Sequence, residues 1–175
     1  MCGGQVVKAE LKSDPGVEIL EGTAGPAVKE HPFLEEFNAH QYRILTDCAM
    51  QTHFRPGETL FREGDPADSF YLIQQGKVAL EARTKDHGLA LIQTLGEGEV
   101  LGWSWLFPPY FWHFSASALE DTDALHLRAS ILRDECEADH DLGFALIKRI
   151  ASVMLQRLQA TRKQMLELRE KGSVL

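Results

Sequence analysis

Between Phe54 and about Leu132, apolar residues recur with a period of two in short runs broken by glycine, and this pattern constrains the fold more than any other. In Phe70-Tyr-Leu-Ile-Gln-Gln-Gly-Lys-Val-Ala-Leu-Glu-Ala-Arg83, Val78, Leu80 and Ala82 fall on one side, and Lys77, Glu81 and Arg83 on the other. Successive side chains of a strand alternate between faces, so the run predicts a half-buried strand. Gln75-Gly76 predicts a hairpin turn, because glycine takes a positive φ without a steric penalty. Leu89, Leu91 and Leu95, then Leu125 and Leu127, repeat the alternation, with Asp86-His-Gly88 and Gly96-Glu-Gly98 between the runs. Many short strands with glycine turns predict a mainly β sandwich or jelly roll.

The flanks follow other rules. Residues 1–29 hold seven glycines or prolines and no sustained period, which predicts a disordered tail. Residues 30–140 then form a helical lead-in and the β region. The lead-in is predicted from Phe33, Leu34 and Phe37, then Tyr42, Ile44 and Leu45, which recur at helical spacing. From 141 to 170 one long helix of the same domain is expected. Ile147, Ala151, Met154, Leu158, Thr161, Met165 and Leu168 step by fours and threes, the spacing of a coiled-coil seam. Arg149, Gln156, Arg157, Lys163 and Glu167 occupy its other faces. Too little β structure is present to cover such a helix, which predicts a homodimer through the seam.

Composition excludes several classes. A net charge of −8 and a pI near 5.3 disfavour a nucleic-acid surface, since Lys and Arg carry that binding. No apolar run approaches membrane-spanning length, and no leader pattern opens the chain, so a cytoplasmic protein is expected. Cys2, Cys48 and Cys136 are scattered and odd in number, the pattern of ordinary reduced thiols rather than of a disulfide framework, zinc site or iron–sulfur cluster. No two histidines are two residues apart and no nucleophile signature occurs, so a cupin-like metal enzyme is set aside and the chain is not read as an enzyme.

Phe54-Arg-Pro-Gly-Glu-Thr-Leu-Phe-Arg-Glu-Gly-Asp-Pro-Ala-Asp-Ser-Phe-Tyr-Leu-Ile-Gln-Gln-Gly-Lys-Val-Ala-Leu80 and Leu95-Gly-Glu-Gly-Glu-Val-Leu-Gly102 resemble the cyclic nucleotide-binding domain. The likeness is strongest to the sensor half of catabolite-activator and FNR-type bacterial regulators, and runs from about His31 to about residue 170. It implies a β-roll with Gly57, Gly64, Gly76, Gly96, Gly98 and Gly102 at its corners, and a long C-terminal helix that dimerises in parallel. The helix-turn-helix that follows this helix in the family's transcription factors has no counterpart here. The resemblance therefore implies a stand-alone sensor that binds no DNA.

In that family the glycine matched by Gly102 precedes a Glu that grips ribose, and an Arg beyond a short helix pairs with the cyclic phosphate. Backbone N–H groups of the helix start and a small hydroxyl assist. Here Trp103 stands at the Glu position and Trp112 or His113 at the Arg position, while Ser104 and Ser115 keep hydroxyls. A charge-assisted hydrogen bond is worth about 1.5–3 kcal/mol, so cyclic AMP is expected to bind weakly or not at all, and the ligand is unknown. Seven of the fifteen aromatic residues lie from Trp103 to Phe114, including all three tryptophans. They serve as core filling a vacated pocket, as the lining of an apolar pocket, or as a sticky surface for another protein. The candidate ligand-binding residues are Gly102, Trp103, Ser104, Trp112, His113, Phe114 and Ser115, with Thr161. That Thr lies in a stretch resembling the one whose Thr contacts the purine across the family's dimer interface. The expectation of weak binding assumes that no Lys or Arg from elsewhere in the chain reaches the site; Arg162, beside Thr161, is the first cation to check against it.

The expected function is a stand-alone regulatory or sensor module that does not hold cyclic AMP in the usual way. The alternative is a ligand-free adaptor for an unidentified protein partner. Haem sensing, with His113 or His126 as axial ligand, ranks below both.

Overall fold

The structure, a computed structural model, describes residues 18–20, 24–85 and 88–172. The lead-in comprises strand β1 (Glu18–Leu20), α1 (Gly25–Glu30), a one-turn 3₁₀ helix (Pro32–Leu34) and α2 (Ala39–Cys48). Eight strands follow: β2 (Ala49–Phe54), β3 (Thr59–Phe61), β4 (Ser69–Gln75), β5 (Val78–Arg83), β6 (Leu89–Leu95), β7 (Val100–Leu101), β8 (Ser115–Ala118) and β9 (Thr122–Arg128). A second 3₁₀ turn, Trp103–Leu106, joins β7 to β8, and two helices, α3 (Ala129–Ala138) and α4 (His140–Gly172), close the described chain.

The strands form two antiparallel sheets, in the orders β1-β2-β9-β4-β7 and β3-β8-β5-β6. The sheets and the flanking helices together enclose one connected core, in which Phe54, Phe70, Leu72, Ile73, Val78, Leu95, Leu101, Ala116, Leu125 and Leu127 are buried. The expected β-roll with flanking helices is what the chain forms. Leu89 and Leu91, in contrast, sit on the edge strand β6 and are more than half exposed.

Three local expectations change. Gln75-Gly76 does not make a hairpin, because β4 and β5 lie in different sheets. The turn hands the chain from one sheet to the other, passing so close to the β8–β9 connection that a Cβ on Gly76 would stand 2.4 Å from the Asp121 carbonyl oxygen. Its φ of 94° adds a second reason for glycine. The predicted tail already carries structure: β1 pairs with β2, and α1 buries Val28 beside Ala24. Both elements are too short to show a period. The remainder of that tail, residues 1–17 and 21–23, lies outside the described residues. Finally, the β pattern ends at Arg128, and α3 buries Ala129 and Leu132. Its first apolar residues had extended the alternation of β9 by chance.

Helix α4 starts where the Asp139 carboxylate accepts the N–H groups of Asp141 and Leu142, satisfying donors that a helix start leaves unpaired. Its roll-facing stripe is Leu142, Leu146 and Ile150, all buried, continued by half-buried Val153 and Arg157. The predicted seam lies on another face. Ile147, Met154, Leu158, Met165 and Leu168 are 38–69% exposed in the single chain. No helix among the described residues is long and apolar enough to cross a membrane.

One half-buried histidine makes folding sensitive to acid. His126 on β9 stacks on Tyr71 with ring centres 5.1 Å apart, and its Nε2 lies 2.8 Å from the Ser69 hydroxyl. Burial pushes its pKa down from 6.5 to about 4, against the opposing pull of Asp68. Between these values the unfolded chain binds a proton that the native one refuses, so stability rises with pH there. The contribution is complete above about pH 6.5 and falls by about 3 kcal/mol on acidification towards pH 4. Urea unfolding midpoints measured across that window should show a shallower decline in His126→Gln than in the unmodified protein.

Candidate functional site

Strand β7 delivers the chain to Gly102 with φ 90°. A Cβ there would stand 2.9 Å from the Trp112 ring and 3.2 Å from the Ser69 carbonyl oxygen. Glycine is therefore needed both for its backbone angle and for the space above it, and the indole of Trp112 occupies that space. The N-terminus of the following helix, expected from the sequence as an anion cradle, is a single 3₁₀ turn. Its few aligned peptides give a much weaker dipole than a full α-helix.

Trp112 is fixed along its backbone and across its ring. Its N–H donates to the Asp65 carbonyl and its carbonyl accepts from the Gly64 N–H, both at 2.9 Å. The Tyr110 carbonyl accepts from the Ala67 N–H at 2.7 Å, and Phe111 bridges to Pro66. The indole stacks on Phe61 with centres 3.9 Å apart and planes 16° from parallel. Phe61 stacks in turn on Tyr71, and Tyr71 on His126, so an aromatic column runs from the loop into the core. Trp105 is fully buried against Phe70, and its carbonyl accepts from Arg133 of α3. Arg133 also covers the Tyr110 ring. The Pro108–Pro109 bond between these anchors is cis.

A cavity of about 130 Å³ remains beside Trp112. Gly102, Trp103, Ser104, Trp112, His113 and Phe114 line it, which brings together six of the residues expected from the sequence. The Ser104 hydroxyl lies 3.1 Å from Nδ1 of the exposed His113. The other two candidates lie elsewhere. Ser115 accepts the Glu63 N–H through its hydroxyl, and borders a separate cleft with Arg62 and Arg83. Thr161 is exposed, its hydroxyl spent on the Arg157 carbonyl one turn back. Arg162 is exposed and does not line the cavity.

The cation at this cavity is Arg157, which the sequence had left on an unassigned helix face. Its Nη2 donates to the Val100 carbonyl at 2.5 Å and stands 3.8 Å from Glu99 Oε1. Its Cζ lies 4.7 Å from the centre of the Trp103 ring, a cation–π contact. The side chain is 13% exposed, and its Nε–H has no acceptor among the described residues. Burial pulls its pKa down from the ordinary value and Glu99 opposes the fall; a guanidinium nonetheless stays charged. A usable signal was present. Leu142, Leu146, Ile150 and Val153 step at the helical period, and the next position on that stripe is Arg157.

Other candidate chemistry does not converge here. Among the described residues no three His, Cys, Asp or Glu side chains are grouped to hold a metal ion. Cys48 and Cys136 are free thiols that burial pushes up to about 11, which leaves little thiolate to act as nucleophile or ligand. Cys2 lies outside the described residues. Of the two histidines considered for haem, His113 is at the cavity, whereas His126 is held within the column.

The family model for the cyclic nucleotide-binding domain matches residues 51–139, which hold all of this site except Arg157. The chain belongs to the cyclic nucleotide-binding domain family. It is 27% identical over 124 residues to a CRP-like cAMP-activated global transcriptional regulator of Mycobacterium tuberculosis, covering 71% of this chain and 54% of that one. It is also 27% identical over 136 residues to the anaerobic regulatory protein of Bacillus subtilis, covering 76% and 56%. The chain thus spans about half the length of the curated relatives it matches. A cyclic nucleotide-binding domain from Methylobacillus flagellatus has the same fold, with a TM-score of 0.74 at 21% identity over 87% of this chain and 89% of that one. So does the regulatory subunit of a cAMP-independent protein kinase A from Trypanosoma brucei, with a TM-score of 0.66 at 20% identity over 82% and 50%.

Within this family member, Trp112 is a packing residue first. Replacing a buried Trp by Ala costs about 3–5 kcal/mol, and Trp112→Ala should lose stability in that range in urea unfolding. Trp103→Ala, at a half-buried ring, should lose distinctly less.

Proposed function

We propose that this chain is a regulatory module whose pocket does not hold a cyclic nucleotide by the usual charge pairing, and that it acts as a homodimer through α4. The carrying observation is Trp112, a 4% exposed indole stacked on Phe61 and pressed against Gly102. Among the described residues no carboxylate lines the cavity to accept from a ribose. The one Lys or Arg there among the described residues, Arg157, already serves Val100 and Glu99. A nucleotide would have to expel Trp112 and forfeit the stack and its burial. The reading is of a binding module rather than an enzyme.

A second reading, an adaptor for another protein, draws on the outer part of the same loop. Phe107, Tyr110 and Phe111 are 48, 38 and 45% exposed beside one another in the chain, and clustered exposed rings are common at protein interfaces.

A ligand at a hundred times its dissociation constant stabilises a fold by about 2.7 kcal/mol. Millimolar cyclic AMP or cyclic GMP should leave the melting temperature unchanged; a clear upward shift would count against an occluded pocket.

The dimer rests on the exposed seam of α4. A long apolar stripe in water is unfavourable, and its spacing suits a parallel coiled coil. Sedimentation at tens of micromolar should show a dimer, and Met154→Glu with Leu158→Glu should convert it to monomer. An unmodified chain that sediments as a monomer would end this part of the proposal.

A further inference from the structure

The space left beside Trp112 is small, walled by rings and served by one buried cation. We propose that it is a binding site for a small organic monoanion, a single-ring aromatic carboxylate, whose ring contacts Trp103, Trp112 and Phe114 and whose charge is met by Arg157. This rests on the reading above that the pocket takes no cyclic nucleotide, and names the ligand class it takes instead.

Size sets the first limit. The cavity is about 130 Å³. An apolar cavity of about 150 Å³ holds one benzene, whereas sites for drug-sized ligands run from about 300 Å³ upward. Purine, ribose and phosphate together exceed the space; one ring with a short polar group fits it. The walls set the second limit. Phe61, Trp103, Trp112 and Phe114 present rings, which favour offset or edge contact with another ring. A small inorganic anion gains nothing from such walls.

Charge sets the third. Arg157 is the only Lys or Arg lining the cavity among the described residues, and no Asp or Glu lines it. Its carboxylate partner, Glu99, is 3.8 Å away and 42% exposed, so solvent screens much of that pairing. Its Nε–H is buried without an acceptor among the described residues, a costly arrangement for a charged group. An anion in the cavity, with a small turn of the guanidinium, supplies the missing acceptor and charge. Arg157 also precedes Leu158 of the exposed seam, so a ligand that engages it acts directly on α4.

The test uses the full chain with benzoate, its neutral isostere benzamide, acetate, inorganic phosphate and cyclic AMP as probes, read by tryptophan fluorescence and melting temperature. Benzoate should give a saturable response with a dissociation constant below about 1 mM. Benzamide should bind at least tenfold more weakly, and acetate and phosphate more weakly still. Arg157→Gln should abolish the preference for acid over amide. Glu99→Gln, which removes the competing carboxylate, should tighten benzoate severalfold. The acid-to-amide comparison in the unmodified chain stands even if Arg157→Gln does not fold. No saturable response to benzoate, equal affinity for acid and amide, or a phosphate response stronger than that of benzoate would overturn the inference. Silence from both benzoate and cyclic AMP would sink this inference alone. A cyclic AMP shift that benzoate competes away would sink the occluded-pocket reading with it.

Discussion

The contact between Gly102 and Trp112 organises the region where the two sheets, the aromatic loop and the long helix meet. It is possible because position 102 has no side chain and a left-handed backbone, and it places the indole where it can stack on Phe61 of the four-stranded sheet. Phe61 and Tyr71 carry the stack across to the five-stranded sheet and His126. Each aromatic pair adds about 0.5–1.5 kcal/mol beyond its burial. The column therefore ties a surface loop to the core more tightly than loop backbone bonds alone. A segment that would otherwise be the natural moving part of a ligand pocket becomes part of the packing.

The same region shows how one helix takes on two tasks. Leu142, Leu146 and Ile150 fasten α4 to the roll, and Arg157 ends that stripe over Trp103. The seam from Ile147 to Leu168 faces away and is exposed. Arg157 and the seam share one helix backbone, so a change in the pocket that moved that backbone at Arg157 would move the seam with it. Arg157 thereby gives the pocket a mechanical connection to α4 through a single guanidinium held by Val100, Glu99 and an indole face.

The period of two and the glycine turns sufficed to predict a sandwich or jelly roll, because alternation and turn chemistry are properties of neighbouring residues; the β-roll in particular came from the family resemblance. Short elements escaped for the complementary reason. β1 and α1 are three and six residues long, below the length at which any period declares itself. Gly76 was correctly marked as a turn but not as a crossover between sheets, since which sheet a strand joins is decided by partners distant in sequence.

Within the site, the resemblance legible in the sequence placed Trp103, and either Trp112 or His113, where the family has charged groups, and the spacing of the last helix marked an apolar seam. Only the tertiary structure decided between the open readings of the aromatic loop: Trp112 and Trp105 are core, Trp103 and Phe114 line a cavity, and Phe107 and Phe111 face solvent. In the single chain it places Arg157, not Arg162, at the cavity, and leaves Ser115 and Thr161 outside the cavity lining. The physical reason is that a side chain's direction follows from the packing of its element against the rest of the fold. A run of rings, all equally apolar, contains no local signal of which ring turns inward.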